Sequence, residues 1–190
     1  IKLVDYTADI YNSAEYAQIS VSPIEQLVLT GGLRYDNMKV DYDNALDKSI
    51  GTKIYDKVTF KAGANFNPST YFGFYANYAQ GFAPPGITSI FRAKPGTGGT
   101  TGKPAEFYYN LEPATFDNYE AGGWINVLKN KLYFDYAIYY MDGKNELLSI
   151  RQPDNSTDFQ SAGETRHKGV EFGFSYKPSE QLNIRFGGTV

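Results

Sequence analysis

The feature that most constrains this chain is strict two-residue alternation, sustained over stretches too long for an ordinary soluble strand. In Leu132-Tyr133-Phe134-Asp135-Tyr136-Ala137-Ile138-Tyr139-Tyr140 the even positions are all large and apolar or aromatic, while the odd positions include Asp135 and Ala137. Val170, Phe172, Phe174 and Tyr176 alternate with Gly169, Glu171, Gly173 and Ser175. Val58, Phe60, Ala62, Ala64 and Phe66 oppose Thr59, Lys61, Gly63 and Asn65, and Leu27, Leu29, Gly31, Leu33 and Tyr35 oppose Thr30, Gly32, Arg34 and Asp36. Successive side chains of a strand point to opposite faces, so each segment carries one fat apolar face and one small, polar or charged face. A helix is excluded, because glycine, β-branched and aromatic residues run through every segment and no 3.6-residue stripe persists.

Eight strands are expected, near 13–22, 27–41, 54–67, 71–82, 115–128, 131–150, 163–177 and 181–190. Tight turns join some of them: Ser22-Pro23-Ile24-Glu25-Gln26, Asn67-Pro68-Ser69-Thr70, Lys129-Asn130-Lys131 and Lys177-Pro178-Ser179-Glu180-Gln181. Proline presets φ in such bends and Asn or Ser caps them. Long connections are expected at about 42–53, 83–114 and 151–162. Short alternating with long is the pattern of an up-and-down barrel with brief periplasmic turns and extended outer loops.

A soluble antiparallel sandwich also alternates. Spans such as 27–41 and 131–150, however, exceed the ~5–6 residues usual for soluble strands. The polar face looks like a wet lumen and the aromatic face like lipid contact. Composition agrees: of 190 residues 17 are Tyr and 13 Phe, side chains suited to a membrane–water boundary. No apolar run approaches the ~20 residues of a membrane helix. Cysteine is absent, which removes disulfides and cysteine-based zinc sites. The net charge of −3 carries no basic footprint for nucleic acid. The chain opens on Ile1-Lys2-Leu3 without Met, so an internal piece of a longer protein is expected.

Four short stretches add to this. Gly32-Leu33-Arg34-Tyr35-Asp36 lies on one strand, and Tyr78-Ala79-Gln80-Gly81-Phe82-Ala83-Pro84-Pro85 opens the longest loop. Leu111-Glu112-Pro113 and then Asn118-Tyr119-Glu120-Ala121-Gly122 begin the next strand. Ala162-Gly163-Glu164-Thr165-Arg166-His167-Lys168-Gly169-Val170-Glu171 begins another. In content and order they resemble the barrel of TonB-dependent outer-membrane receptors, over nearly the whole chain. Two departures are visible: Ala114 follows Pro113 where the family often has Glu, and Ser161 precedes Ala162-Gly163 where Asn is common.

The resemblance implies a transmembrane β-barrel segment, about eight strands of a larger barrel of about 22 strands with a plugged lumen. Residues 1–190 would then be a partial receptor barrel domain with no recognisable plug and no aromatic-terminated closing strand. It further implies a bacterial outer-membrane location, contact with outer-membrane lipid, and active uptake of a ferric siderophore or similar chelate. The TonB complex would act through the missing plug region. No catalysis and no cofactor are expected. Two other classes stay open, a passive eight-stranded outer-membrane barrel and a soluble β-sandwich binding module.

Arg34 and Asp36, two apart on the polar face, are expected to join an internal salt-bridge ladder, and Glu120, Glu171 and Lys61 are charges of the same lumenal kind. Trp124, Tyr35, Tyr78, Tyr119 and Tyr176 are candidates for an aromatic girdle. The lone His167 has no cysteine or second histidine near it in sequence, so a metal or nucleophilic site is not expected. Gly96-Thr97-Gly98-Gly99-Thr100-Thr101-Gly102-Lys103 lacks the spacing and following helix of a phosphate loop, since Pro104 comes next. No histidine follows Phe82 within the long loop, which within the resembled family argues against haem. Ligand contact is expected on the outer loops, from Phe91, Arg92, Lys94, Phe107, Tyr108, Tyr109 and Arg151. Rings cover an organic shell there, and Arg or Lys meets anionic oxygens.

Overall fold

The computed structural model describes residues 5–46, 48–94, 96–98, 103–153, 155 and 157–190. The eight strands are β1 (Tyr6–Ile24), β2 (Leu27–Asn44), β3 (Ile50–Ser69), β4 (Phe72–Ala83), β5 (Ala114–Val127), β6 (Leu132–Arg151), β7 (Thr157–Ser179) and β8 (Leu182–Thr189). They form one sheet in chain order, each strand antiparallel to the next. Among the described residues β1 pairs only with β2, and β8 only with β7. The sheet therefore does not close on itself as a passive eight-stranded barrel would. Among the described residues no second sheet packs against it either, unlike in a sandwich.

Two of the three long connections are shorter than the sequence indicates. Strands β2 and β3 run on to Asn44 and resume at Ile50, and β6 and β7 run on to Arg151 and resume at Thr157. The cluster of Asp, Asn, Lys and Ser around 42–53 reads as loop. In the fold most of this stretch is paired strand instead, and the Thr52 hydroxyl donates across the hairpin to Asp41 at 2.7 Å, a carboxylate that also accepts from Lys39 Nζ on its own strand at 2.6 Å. The stretch 84–113 remains a long loop, and among its described residues is one helical turn, α1 (Ile87–Ile90).

Register converts the alternation into two continuous faces. One cross-strand row reads Phe72, Ile125, Phe134, Phe174, Phe186 and another Ala76, Ala121, Ile138, Val170. Leu33, Phe60 and Ile138 are 48, 52 and 57% exposed, so the apolar side chains stand bare along the sheet. A water-soluble domain would cover such a surface, whereas an outer-membrane barrel turns it outward. On β6 the apolar outward run extends from Leu132 to Tyr140, matching the ~9–11 residues of a tilted membrane strand.

The girdle is visible where the outward face turns polar. Tyr78, Tyr119 and Tyr140 form a row with ring centroids 5.0 and 6.4 Å apart. One row higher stand Gln80, Asp117, Asp142 and Arg166. Tyr35 and Tyr176 also face outward, beside Val58 and Ile184. Trp124 does not join them. It shares a row with Gly73 and Asp135 on the polar face, stacked on Tyr133. Its place in the two-residue period, set by Gly122 and Glu120, overrides the preference of indole for a membrane boundary.

Candidate ligand-binding mouth

Hairpins β2–β3 and β6–β7 project past the girdle, and loop 84–113 bridges them on the polar face. Here lies the hydrophobic cluster of buried residues: Val40, Tyr42, Tyr55, Ile90, Phe91 and Phe107. Phe91 stacks on Tyr42 at 4.7 Å and 1°, and Phe107 meets both rings edge-on. Gly51 makes this approach possible, because a Cβ there would sit 2.7 Å from the Phe91 ring and closer still to the Tyr109 hydroxyl. Lys53 Nζ donates to the Tyr109 carbonyl at 2.6 Å, and the Tyr55 hydroxyl to the Leu111 carbonyl at 3.1 Å. Burial pushes the Tyr55 phenol up to about 12.

The other side of the loop is held by β6–β7. The Glu112 N–H donates to Ser161 Oγ at 2.9 Å, whose hydroxyl donates to the Glu112 carbonyl at 3.0 Å. Asn145 Nδ2 donates to the Glu112 carboxylate at 3.1 Å. Asn145 has φ +57° where the β6–β7 register shifts, and such a bulge re-aims a side chain. Thr165 and Glu146 are hydrogen-bonded beside it. Two separate sequence motifs, Leu111-Glu112-Pro113 and Ser161-Ala162-Gly163, thus meet in one clamp. Ser161, one of the two family departures, is the residue that makes the clamp's backbone contacts.

The expected ligand contacts divide by burial. Phe91 and Tyr108 are 4 and 2% exposed, and Phe107 is buried as well. In this arrangement they hold the loop down rather than face solvent. Tyr108 meets Phe159 edge-on at 5.6 Å, and its buried hydroxyl lies near Asp158 without a well-aligned hydrogen bond among the described residues. Burial foremost, then the neighbouring Asp158 carboxylate, raises the Tyr108 phenol to about 12. Arg92 lies over the Phe159 ring at 5.6 Å and Lys94 over Tyr108 at 5.7 Å, so both cations are set on an aromatic floor. Arg92 is exposed and Tyr109 is 40% exposed. Arg151 stands apart at the end of β6, bonded to Asn155 at 3.0 Å. Residues 99–102 of the Gly/Thr stretch lie outside the described residues.

Below the mouth the polar face carries the expected Arg34–Asp36 pair, bonded twice at 2.7 and 2.6 Å. Glu120 accepts a hydrogen bond from the Tyr75 hydroxyl at 2.7 Å instead of an ion pair, and neither Glu171 nor Lys61 forms an ion pair among the described residues. His167 sits on this face opposite Met141. Among the described residues no group of three His, Cys, Asp or Glu side chains is placed to hold a metal.

The family description "TonB dependent receptor-like, beta-barrel" matches residues 3–190. The chain belongs to the TonB-dependent receptor family. As a receptor barrel of that family it is a bacterial outer-membrane protein segment. It is 26% identical over 180 residues to the catecholate siderophore receptor Fiu of Escherichia coli, covering 83% of this chain and 22% of Fiu. It is 24% identical over 159 residues to the metal-pseudopaline receptor CntO of Pseudomonas aeruginosa, covering 80% of this chain and 20% of CntO. The FrpB iron transporter of Neisseria meningitidis shares the fold with a TM-score of 0.70 at 17% identity, over 98% of this chain and 26% of that one. The receptor segment therefore spans about a fifth of the length of these curated relatives.

Proposed function

We propose that this segment forms part of the wall and outer mouth of an active importer for a ferric siderophore or similar metal chelate, energised by the TonB complex through a plug. The observation that carries the reading is loop 84–113, fixed across two projecting hairpins with Arg92 and Lys94 seated on aromatic rings and Tyr109 partly exposed. Cations on an aromatic floor suit a large anionic chelate, whose oxygens meet the charges while its organic shell meets the rings. The names of Fiu, CntO and FrpB point the same way. Phe91, Phe107 and Tyr108 take the role of anchors for this surface, and Arg151 that of an outlying contact. The apolar face contacts outer-membrane lipid, and no catalytic step is assigned.

The lumen wall suits a plug. Glu120, Asp135 and Glu171 project into it from β5, β6 and β7 without an ion pair among the described residues, ready to receive cations from a segment inside the barrel. The test is chelate binding to the full-length receptor carrying Arg92→Gln and Lys94→Gln. Loss of two charge-assisted contacts is expected to weaken binding by at least about tenfold. Unchanged affinity would sink the assignment of the mouth.

A further inference from the structure

Strand β3 places Lys53, Lys57 and Lys61 on one face, four residues apart, with Tyr55 and Thr59 between them. Packing decides which face this is: Tyr55 belongs to the cluster under loop 84–113, whereas Val58 and Phe60 stand on the apolar side. The three lysines therefore descend the lumen wall in steps of about 13 Å at the usual strand rise. The uppermost, Lys53, already touches the mouth through the Tyr109 carbonyl. Lys57 faces Asp36 across the strand pair, but that carboxylate is held by both Arg34 nitrogens. Lys61 lies along the neighbouring strand, its Cε 2.9 Å from where a Cβ on Gly32 would be. Neither Lys57 nor Lys61 has an ion-pair partner among the described residues.

Charge on the polar face is unevenly shared between the strands. Along β2 and β3 it comprises Lys53, Lys57, Lys61 and Arg34 against the single carboxylate Asp36. Along β5 to β7 the balance is reversed, with Glu120, Asp135, Glu146 and Glu171 against the single cation Lys177 near the opposite end of β7. We propose that Lys53, Lys57 and Lys61, with Arg34 beside them, form a cationic ladder that passes an anionic chelate from the mouth down one side of the lumen. Lysine suits this task because it is a compact, hydrated point charge, and it is the positive charge that the task requires. Several weak sites in series let an anion enter and leave, where one strong site would trap it.

This rests on the reading of the chain as a chelate importer, and the test separates the two. The full-length receptor in its native membrane is given a ferric tris-catecholate, a trianion, and surface binding and uptake rate are measured separately. The double variant Lys57→Gln, Lys61→Gln is expected to slow uptake about tenfold and weaken surface binding far less, with the double Arg replacement restoring most of the rate. Equal surface abundance is checked on intact cells, and the Arg variant serves as the folding control. If the native receptor binds no chelate, the importer reading and the ladder fall together. If it binds and the Gln variant imports at the native rate, or the Arg variant is as slow as the Gln variant, only the ladder falls.

Discussion

The membrane-spanning part of the sheet and the mouth above it are built on opposite principles. In the span each strand has a bare apolar face on one side and a polar face on the other. Its large apolar residues, such as Phe60 and Ile138, pack on no second protein layer. Order there comes from ladder hydrogen bonds and from the bilayer, which makes register the quantity under selection. In the mouth, hairpins and loop enclose a small protein core of their own, with Val40, Ile90 and Leu111 nearly inaccessible. Water surrounds it, so the ordinary rules of close packing apply. One chain is thus expected to carry two stabilities, with the mouth loosening before the wall melts.

The strongest way to separate them is Phe91→Ala in the full-length receptor. Losing the ring stacked on Tyr42 is expected to destabilise loop docking by roughly 3–5 kcal/mol. The loop should become protease-sensitive while the denaturation midpoint of the barrel holds; a matching fall of that midpoint would show that the two regions are one unit. The converse change is Ile138→Arg on the lipid face, expected to cost about 2–4 kcal/mol of folding in bilayers. Its neighbour Ala137→Arg faces the lumen and should fold nearly as the native protein does. If both variants fail alike, the assignment of faces is wrong.

A smaller effect is expected from Ser161→Ala, which leaves the Glu112 backbone without its side-chain partner and should loosen the loop by about 1 kcal/mol. Loop protection that is indifferent to this change would reduce the clamp to a passive contact. Gentlest is alkali. Tyr55 and Tyr108 are raised from 10.0 to about 12 in the fold, so each holds its proton more tightly there than in the released loop. Their contribution is whole below pH 10 and declines as pH rises towards 12. Tyrosinate absorbance and loop proteolysis should rise together in that window. Loop release completed below it would contradict the burial of these phenols.

Much of the fold was legible in the sequence because the period of two is a local property. Val170-x-Phe172-x-Phe174 needs no knowledge of its neighbours to declare a two-faced strand. The tight turns were legible to within a few residues: Asn130 lies in its turn, whereas Pro68 and Pro178 sit at register shifts at the strand ends, just before the turns at 70–71 and 180–181. What misled was chemistry judged without a partner. The stretch 42–53 is polar enough for a loop, yet its polar groups bond across an extended hairpin. Trp124 has the side chain of a girdle residue but the parity of a lumen residue. Phe91 and Tyr108 have the chemistry of ligand contacts, and only the packing reveals that both are nearly inaccessible in this arrangement.

The sequence by itself determined the strand class, the two faces, the order of short and long connections and the family resemblance. All of these depend on spacing along the chain. Tertiary structure alone decided that Glu112 meets Asn145 and Ser161, that Phe91 lies flat on Tyr42, and that the sheet stays open. Those contacts join residues distant in sequence, whose encounter depends on the accumulated register of several strands and on a glycine at position 51 that lets the loop approach.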